Sequence, residues 1–140
     1  MKTIEDARAL AKAMVDIGRE NGRSVKAVLT DMDRPLGHVI GNALEIREVI
    51  DTLKGHGPED LTHECIIMAS HMLVLSHICD YETALTRVRE ALDSGAALER
   101  LRLMIDTQGG DSSVIDDESL LAIGQCTYDV MAPKAGYITH

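Results

Sequence analysis

The chain has 140 residues, of which 23 are acidic and 14 basic, so its formal charge is −9. This length suits a single domain with one hydrophobic core. The negative charge excludes nucleic acid and anionic membrane surfaces as expected partners, because both select clustered Lys and Arg. No apolar run approaches the roughly 18 residues of a membrane helix, and the N-terminus lacks the apolar core of a signal peptide.

The first elements in the chain are predicted to be a helix and a short strand. Thr3 followed by Asp6 resembles a capping box, apolar residues then recur at helical spacing, and Gly22 is a natural helix stop. Residues 24–30, which read SVKAVLT, are too few and too β-branched for another helix. They predict one buried strand.

Two further helices are predicted after a loop rich in Pro and Gly. Asn42 with Glu45 reads as a second capping box, and the helix that follows ends at Gly55. Pro58 suits the first position of the next helix, where its missing N–H costs nothing. That helix is predicted to run to about Cys79 and is apolar around most of its circumference, which is typical of a helix at the centre of a bundle or in an interface.

The C-terminal half predicts two more helices and a hairpin. Asp80 can cap a helix that runs to about Asp93, and Ala96 to Thr107 continues the helical pattern. Residues 126–139 predict an extended hairpin with its turn at 133–136. The predicted fold is therefore mainly α with a small β component: about five helices, one buried strand and a C-terminal hairpin.

Four stretches of the sequence carry a family resemblance. The chain opens with MKTIEDARALAKAMVDIG, and residues 31–64 read DMDRPLGHVIGNALEIREVIDTLKGHGPEDLTHE. Later come SGAALERLRLMIDTQGGDSSVIDD and APKAGYI. Together these stretches resemble the pyrimidine nucleoside phosphorylases, the thymidine phosphorylase family, over almost the whole chain.

The resemblance implies that residues 1–140 are one truncated domain, an internal part of the family's α/β domain and about a third of a full-length relative. In the family, a Lys-Ser stretch and a Gly-rich loop hold phosphate, and an Arg, a Ser and a Lys hold the pyrimidine. All of these are expected to precede Met1. Because phosphorolysis needs both substrates clamped in a cleft, the chain alone is expected to lack this glycosyl-transfer activity.

The resemblance also implies part of a cation site. Family members bind a monovalent or calcium-like cation through two loop carbonyls and a helix glutamate, and the matching positions are Leu36, Val39 and Glu48. Hard cations take about six oxygen ligands, and the remaining family ligands are expected outside this chain. The alternative is a Glu48 that is solvated or paired with a neighbour such as Arg47.

A second candidate metal site comes from the residues at the start of the third helix. His56, Glu59 and His63 could hold Zn²⁺ or Mn²⁺, since Glu59 and His63 are four residues apart and share a helix face. The resembled family more often has Glu at position 63. The alternative is that acidic residues in this first turn only complement the helix dipole. Further imidazoles that could act as metal ligands are those of His38, His71 and His77.

Three functions remain open from the sequence. The first is a phosphorylase fragment that is inactive alone and folds by self-association, because a strand without its neighbours exposes hydrogen-bonding edges. The second is a metal-dependent phosphate-ester hydrolase with its site at an interface between copies. The third is a non-catalytic helical interaction module. A homodimer or larger assembly is expected, and three cysteines without CxxC spacing indicate a cytoplasmic location.

Overall fold

The computed structural model describes residues 3–31, 33–122, 124 and 126–136. Over these residues the chain forms five α-helices and two short 3₁₀ helices, so the predicted mainly helical fold is confirmed. None of the helices in this part of the chain has the length and apolar character to span a membrane. The α-helices are α1 (Ile4–Glu20), α2 (Asn42–Leu53), α3 (Glu59–Leu75), α4 (Tyr81–Asp93) and α5 (Ala96–Thr107), and the 3₁₀ helices are Ser112–Ile115 and Glu118–Leu120.

Helix α1 begins as predicted but buries no side chain. Thr3 Oγ1 accepts a hydrogen bond from the Asp6 N–H at 3.1 Å, which satisfies one of the free donors of the first turn. None of the residues of α1 is buried, and Met14 and Ile17 are each 61% exposed. After the helix the chain turns back so closely that a Cβ on Gly18 would overlap Val25. The apolar face of α1 is therefore left uncovered.

The start of α2 differs from the predicted capping box by one residue. The N-cap is Gly41, whose φ is 130°, and Asn42 is already helical. Glu45 Oε1 accepts a hydrogen bond from the Gly41 N–H at 3.3 Å. Glycine tolerates the positive φ that this entry into the helix requires, so the cap forms one position earlier than the prediction placed it.

Helix α3 stops four residues before the predicted end near Cys79. Ser76 is its C-cap, and His77 has a φ of 56°, a left-handed conformation. The His77 N–H donates to the Val74 carbonyl at 3.0 Å, and the Ile78 N–H donates to the Leu73 carbonyl at 3.2 Å. This pair of bonds is a Schellman motif, which ends a helix by satisfying its last carbonyls. Apolar periodicity alone continues past this point and could not locate it.

The core is formed by consecutive helices. Helix α3 packs against α4, α4 packs against α5, and α5 packs against the first 3₁₀ helix. The most extensive contact is between α3 and α4. Ser70 of α3 and Ala84 of α4 are fully buried, and such small side chains let helices approach closely. Ile50 of α2 and Ile115 of the 3₁₀ helix are the largest fully buried apolar side chains. This core is small for a chain of this length.

The described residues form no strand, so the small β component of the predicted fold is not confirmed. Residues 24–30, predicted as a buried strand, are irregular, and no strand occurs anywhere in the described ranges. An isolated β segment cannot form a ladder without a neighbouring strand to accept its hydrogen bonds. The predicted hairpin at 126–139 is irregular over 126–136, and its remaining residues lie outside the part of the chain that the structure describes.

Candidate functional site

The loop of residues 36–39 lies against Glu48 of α2. The His38 N–H donates to Glu48 Oε1 at 2.8 Å. Gly37 has a φ of +75°, and a Cβ at this position would overlap the Glu48 carboxylate. Only glycine meets both demands at low cost, because it adopts the left-handed conformation and leaves room for the carboxylate. The loop that carries Leu36 and Val39 is thus packed onto the side chain predicted to act with them.

Asp60, in the first turn of α3, also contacts this loop. Its Oδ2 accepts from the Gly37 N–H at 3.3 Å, and its Oδ1 accepts from the Leu61 N–H at 2.8 Å. The Leu61 and Gly37 N–H groups lower the pKa of the Asp60 carboxyl below its usual 3.8, and nearby His38 adds to this effect against partial desolvation. Asp60 is therefore held as a carboxylate beside the loop.

Two hollows flank the loop and share His38. The first, of about 280 Å³, includes Val39, Glu48 and His56 in its wall. The second is a shallow opening of about 530 Å³ between His38, Glu59, Asp60 and His63. His56 thus lines one hollow, while Glu59 and His63 line the other. The structure does not place the three residues of the predicted transition-metal site around one space.

No group of three or more His, Cys, Asp or Glu side chains within the described ranges is arranged to hold a metal ion. The transition-metal site at His56, Glu59 and His63 therefore gains no support from the geometry and stays a prediction. His71 is engaged elsewhere: its ring stacks on Tyr81 with the centroids 4.9 Å apart, and Lys26 Nζ lies 3.4 Å from its Nδ1. This contact ties residue 26 to α3 and α4.

The three residues of the implied family cation site line adjoining hollows. Glu48 and Val39 line the same hollow, and Leu36 lines the adjoining one together with Val39. Two carbonyl oxygens and one carboxylate are the donor types that hard cations prefer. The residues present fit part of such a site. Three donors are about half of the usual coordination number of such cations.

A larger hollow of about 860 Å³ adjoins the loop and is strongly acidic. Its acidic lining residues are Asp31, Asp33, Glu45, Asp60 and Glu64, and the basic residues that line it are Arg34 and His63. A phosphate dianion placed here would meet more negative than positive charge, which is unfavourable at these short distances. This surface suits a cation better than an anion.

The contact between Asp60 and the loop is not predictable from the sequence. In the sequence Asp60 lies three residues before His63, a spacing that relates it to its own helix and not to the loop. Its bond to Gly37 joins positions 23 residues apart, and no local pattern encodes such a contact. The sequence feature that indicates a close contact at this loop is Gly37, which precedes the helix of Glu48. A glycine in such a loop often marks the close approach of another group.

The amino-acid sequence of this chain is similar to those of known enzymes. A pyrimidine-nucleoside phosphorylase from Staphylococcus aureus (strain bovine RF122 / ET3-1) is 50% identical to this chain over 140 residues. Those from strains USA300 and NCTC 8325 are 49% identical. Each alignment covers 99% of this chain and 32% of the relative. The chain thus spans about a third of the length of these curated relatives.

The chain also matches a family model. Residues 1–98 match the model described as the glycosyl transferase family, a/b domain. The matched range contains α1 to α4 and the loop held by Glu48 and Asp60. Since the match includes well over half of the residues, the chain belongs to the glycosyl transferase family and contains sequence of its a/b domain.

Proposed function

We propose that this chain supplies one wall of the a/b domain of a pyrimidine nucleoside phosphorylase. Such an enzyme catalyses phosphorolysis, in which phosphate displaces a pyrimidine base from its sugar. The observation that carries the proposal is the 50% identity to a pyrimidine-nucleoside phosphorylase along the full 140 aligned residues. We further propose that these 140 residues do not carry out phosphorolysis by themselves.

Charge supports the second part of the proposal. Phosphorolysis places a phosphate dianion beside the sugar, and enzymes stabilise such charge with preorganised cationic and N–H donors. The hollow beside the 36–39 loop is instead lined by five carboxylates against Arg34 and His63. The first hollow is lined by Arg47 and two histidines, together with the carboxylates of Glu48 and Asp51. Neither hollow offers the positive surface that a phosphate site needs.

We propose that the loop contributes oxygen ligands to a cation, with Leu36 and Val39 acting through their carbonyls and Glu48 through its carboxylate. A bound cation would fix the loop electrostatically and tie it to α2. The position of Glu48, which accepts the His38 N–H at 2.8 Å, supports this role. With about half of the usual ligands for a hard cation, these residues are expected to bind it weakly unless further donors are supplied.

The assay that tests the catalytic part uses the purified 140-residue chain with uridine or thymidine and phosphate. The expected result is no phosphate-dependent release of uracil or thymine. A heat-denatured sample is the control for contaminating enzyme, and the S. aureus phosphorylase is the positive control. Release of free base that needs phosphate, scales with the amount of the chain and disappears on denaturation would contradict the proposal.

A further inference from the structure

Two successive N–H groups of the 36–39 loop are held by carboxylates from two different helices. The Gly37 N–H donates to Asp60 at 3.3 Å, and the His38 N–H donates to Glu48 at 2.8 Å. Glu48 belongs to α2 and Asp60 to the first turn of α3. The loop is thus held by two side chains whose backbones are fixed in helices.

The Asp60 carboxylate is oriented by a hydrogen bond within its own helix as well as by its contact with the loop. Its Oδ1 accepts the Leu61 N–H of its own helix at 2.8 Å, which leaves Oδ2 directed to Gly37. The N-terminal turn of a helix favours a negative charge, because its free N–H groups carry partial positive charge. Both oxygens of Asp60 therefore have N–H donors, and the side chain serves the loop as an acceptor.

We infer that Asp60 is a positioning residue, which holds the Gly37 peptide and thereby keeps the loop that carries Leu36 and Val39 against Glu48. The inference that Asp60 orients the loop stands on the hydrogen bonds alone. Its consequence for cation binding rests on the proposed function, since only there are Leu36, Val39 and Glu48 taken as ligands. Asp60 contributes through the loop and is not counted among those ligands.

Amide hydrogen exchange of the 140-residue chain, measured by NMR, tests the positional part. Asp60→Leu removes both acceptor oxygens at similar size, and the exchange of the Gly37 amide is expected to speed up about five- to tenfold, the effect of losing one ordinary hydrogen bond. Asp60→Asn keeps one acceptor oxygen for two N–H donors, so its Gly37 amide is expected to exchange at a rate between those of wild type and Asp60→Leu. Glu59→Gln, a neighbouring acid on the same turn, is the matched control and should leave Gly37 unchanged.

Three results decide the positional claim. Unchanged Gly37 exchange in Asp60→Leu overturns it, as does an equal acceleration in Glu59→Gln. Equal acceleration at amides throughout α3 in Asp60→Leu would show general destabilisation and also counts against a specific role. If Asp60→Leu loses its helical circular dichroism, Asp60→Ala replaces it with the same expected acceleration at Gly37.

A titration with Ca²⁺ alone, and separately with K⁺ alone, tests the consequence for the cation. In the wild-type chain the carbonyl resonances of Leu36 and Val39 are expected to shift as the ion is added. Asp60→Leu should weaken the midpoint at least threefold, and Asp60→Asn, with one acceptor oxygen left, should weaken it less. A wild-type response that Asp60→Leu leaves unchanged overturns the inference. A wild-type chain that responds to neither ion counts against the proposed cation ligands, and the Gly37 exchange still decides the role of Asp60.

Discussion

His77 ends α3 in a conformation that residues with a Cβ adopt at a cost. Its φ is 56°, and it is the one non-glycine residue with positive φ among those described. The left-handed region costs an ordinary L-residue roughly 1–2 kcal/mol, while glycine enters it freely. The Schellman bonds from His77 and Ile78 keep the residue there. Position 77 therefore favours glycine on conformational grounds.

His77→Gly is expected to raise the free energy of unfolding by about 1 kcal/mol, because it relieves this strain at the C′ position. Urea denaturation followed by circular dichroism measures the change. Ser76→Gly is the matched control, since Ser76 has an ordinary φ of −80° and glycine there should destabilise. A His77→Gly variant no more stable than wild type would show that the imidazole makes a compensating contact.

Contacts between distant residues were the part of the candidate site that the sequence did not reveal. The family resemblance led to Glu48, and the structure places it against the loop at 2.8 Å from the His38 N–H. The grouping of His56 with Glu59 and His63 rested on helical spacing, yet these residues line different hollows. Spacing along a helix predicts which side chains share a face, but it does not predict where the preceding loop lies.

At the scale of elements, the helices were the most predictable feature. The predicted cap residues Thr3 and Asp80 both accept the hydrogen bonds expected of an N-cap, and α5 matches its predicted range of Ala96–Thr107. These are local signals, set by residues three or four positions apart. A strand depends on pairing with another strand, and the segment at 24–30 has no such partner within the described part of the chain. Its β-branched composition therefore did not suffice to predict a strand.

The N-cap of α4 makes the stability of this element depend on pH. Asp80 Oδ1 accepts from the Thr83 N–H at 2.9 Å. The Thr83 N–H and, secondarily, its hydroxyl lower the pKa of Asp80 below its usual 3.8. Since the folded-state pKa lies below the unfolded one, the stabilisation is fully present above about pH 4 and is lost as pH falls through the folded value.

Asp80→Asn is expected to make the melting temperature less sensitive to pH between about pH 5 and pH 2.5, because the amide oxygen still caps the helix but does not titrate in this range. Thermal unfolding of wild type and variant across that range provides the measurement. Asp106→Asn, within α5 and away from its N-terminus, is the control. The same pH slope in Asp80→Asn and wild type would contradict a titrating cap at Asp80.

The chain has a much larger solvent-accessible area than a compact protein of the same mass. Its solvent-accessible area is 11,223 Å² for 15.3 kDa, whereas a compact folded protein of this mass exposes about 7,100 Å². Large apolar side chains contribute to this area, among them Met14 of α1 and Met72 of α3, which are 61% and 66% exposed. Apolar surface of this extent is usually covered by a partner or by another part of a larger fold.

Self-association of the chain is therefore expected, with α3 as the contact. Met72→Glu places a charge on its exposed face, and a buried charge without a partner disfavours assembly strongly. Sedimentation velocity at micromolar concentration should show an oligomer for wild type and a smaller species for Met72→Glu. Met104→Glu, a similarly exposed methionine on α5, should leave the oligomer intact. A monomeric wild-type chain would contradict this expectation.

The central claim is that these residues are a working part of a phosphorylase scaffold and need the rest of that scaffold for catalysis. Replacing the matching third of the S. aureus pyrimidine-nucleoside phosphorylase by this chain tests it most directly, since the two are 50% identical over 140 residues. The hybrid is expected to cleave uridine in a phosphate-dependent reaction at a rate within about tenfold of the parent, a loss of at most about 1.4 kcal/mol of transition-state stabilisation. A hybrid that folds with native helical content but releases no uracil would contradict it.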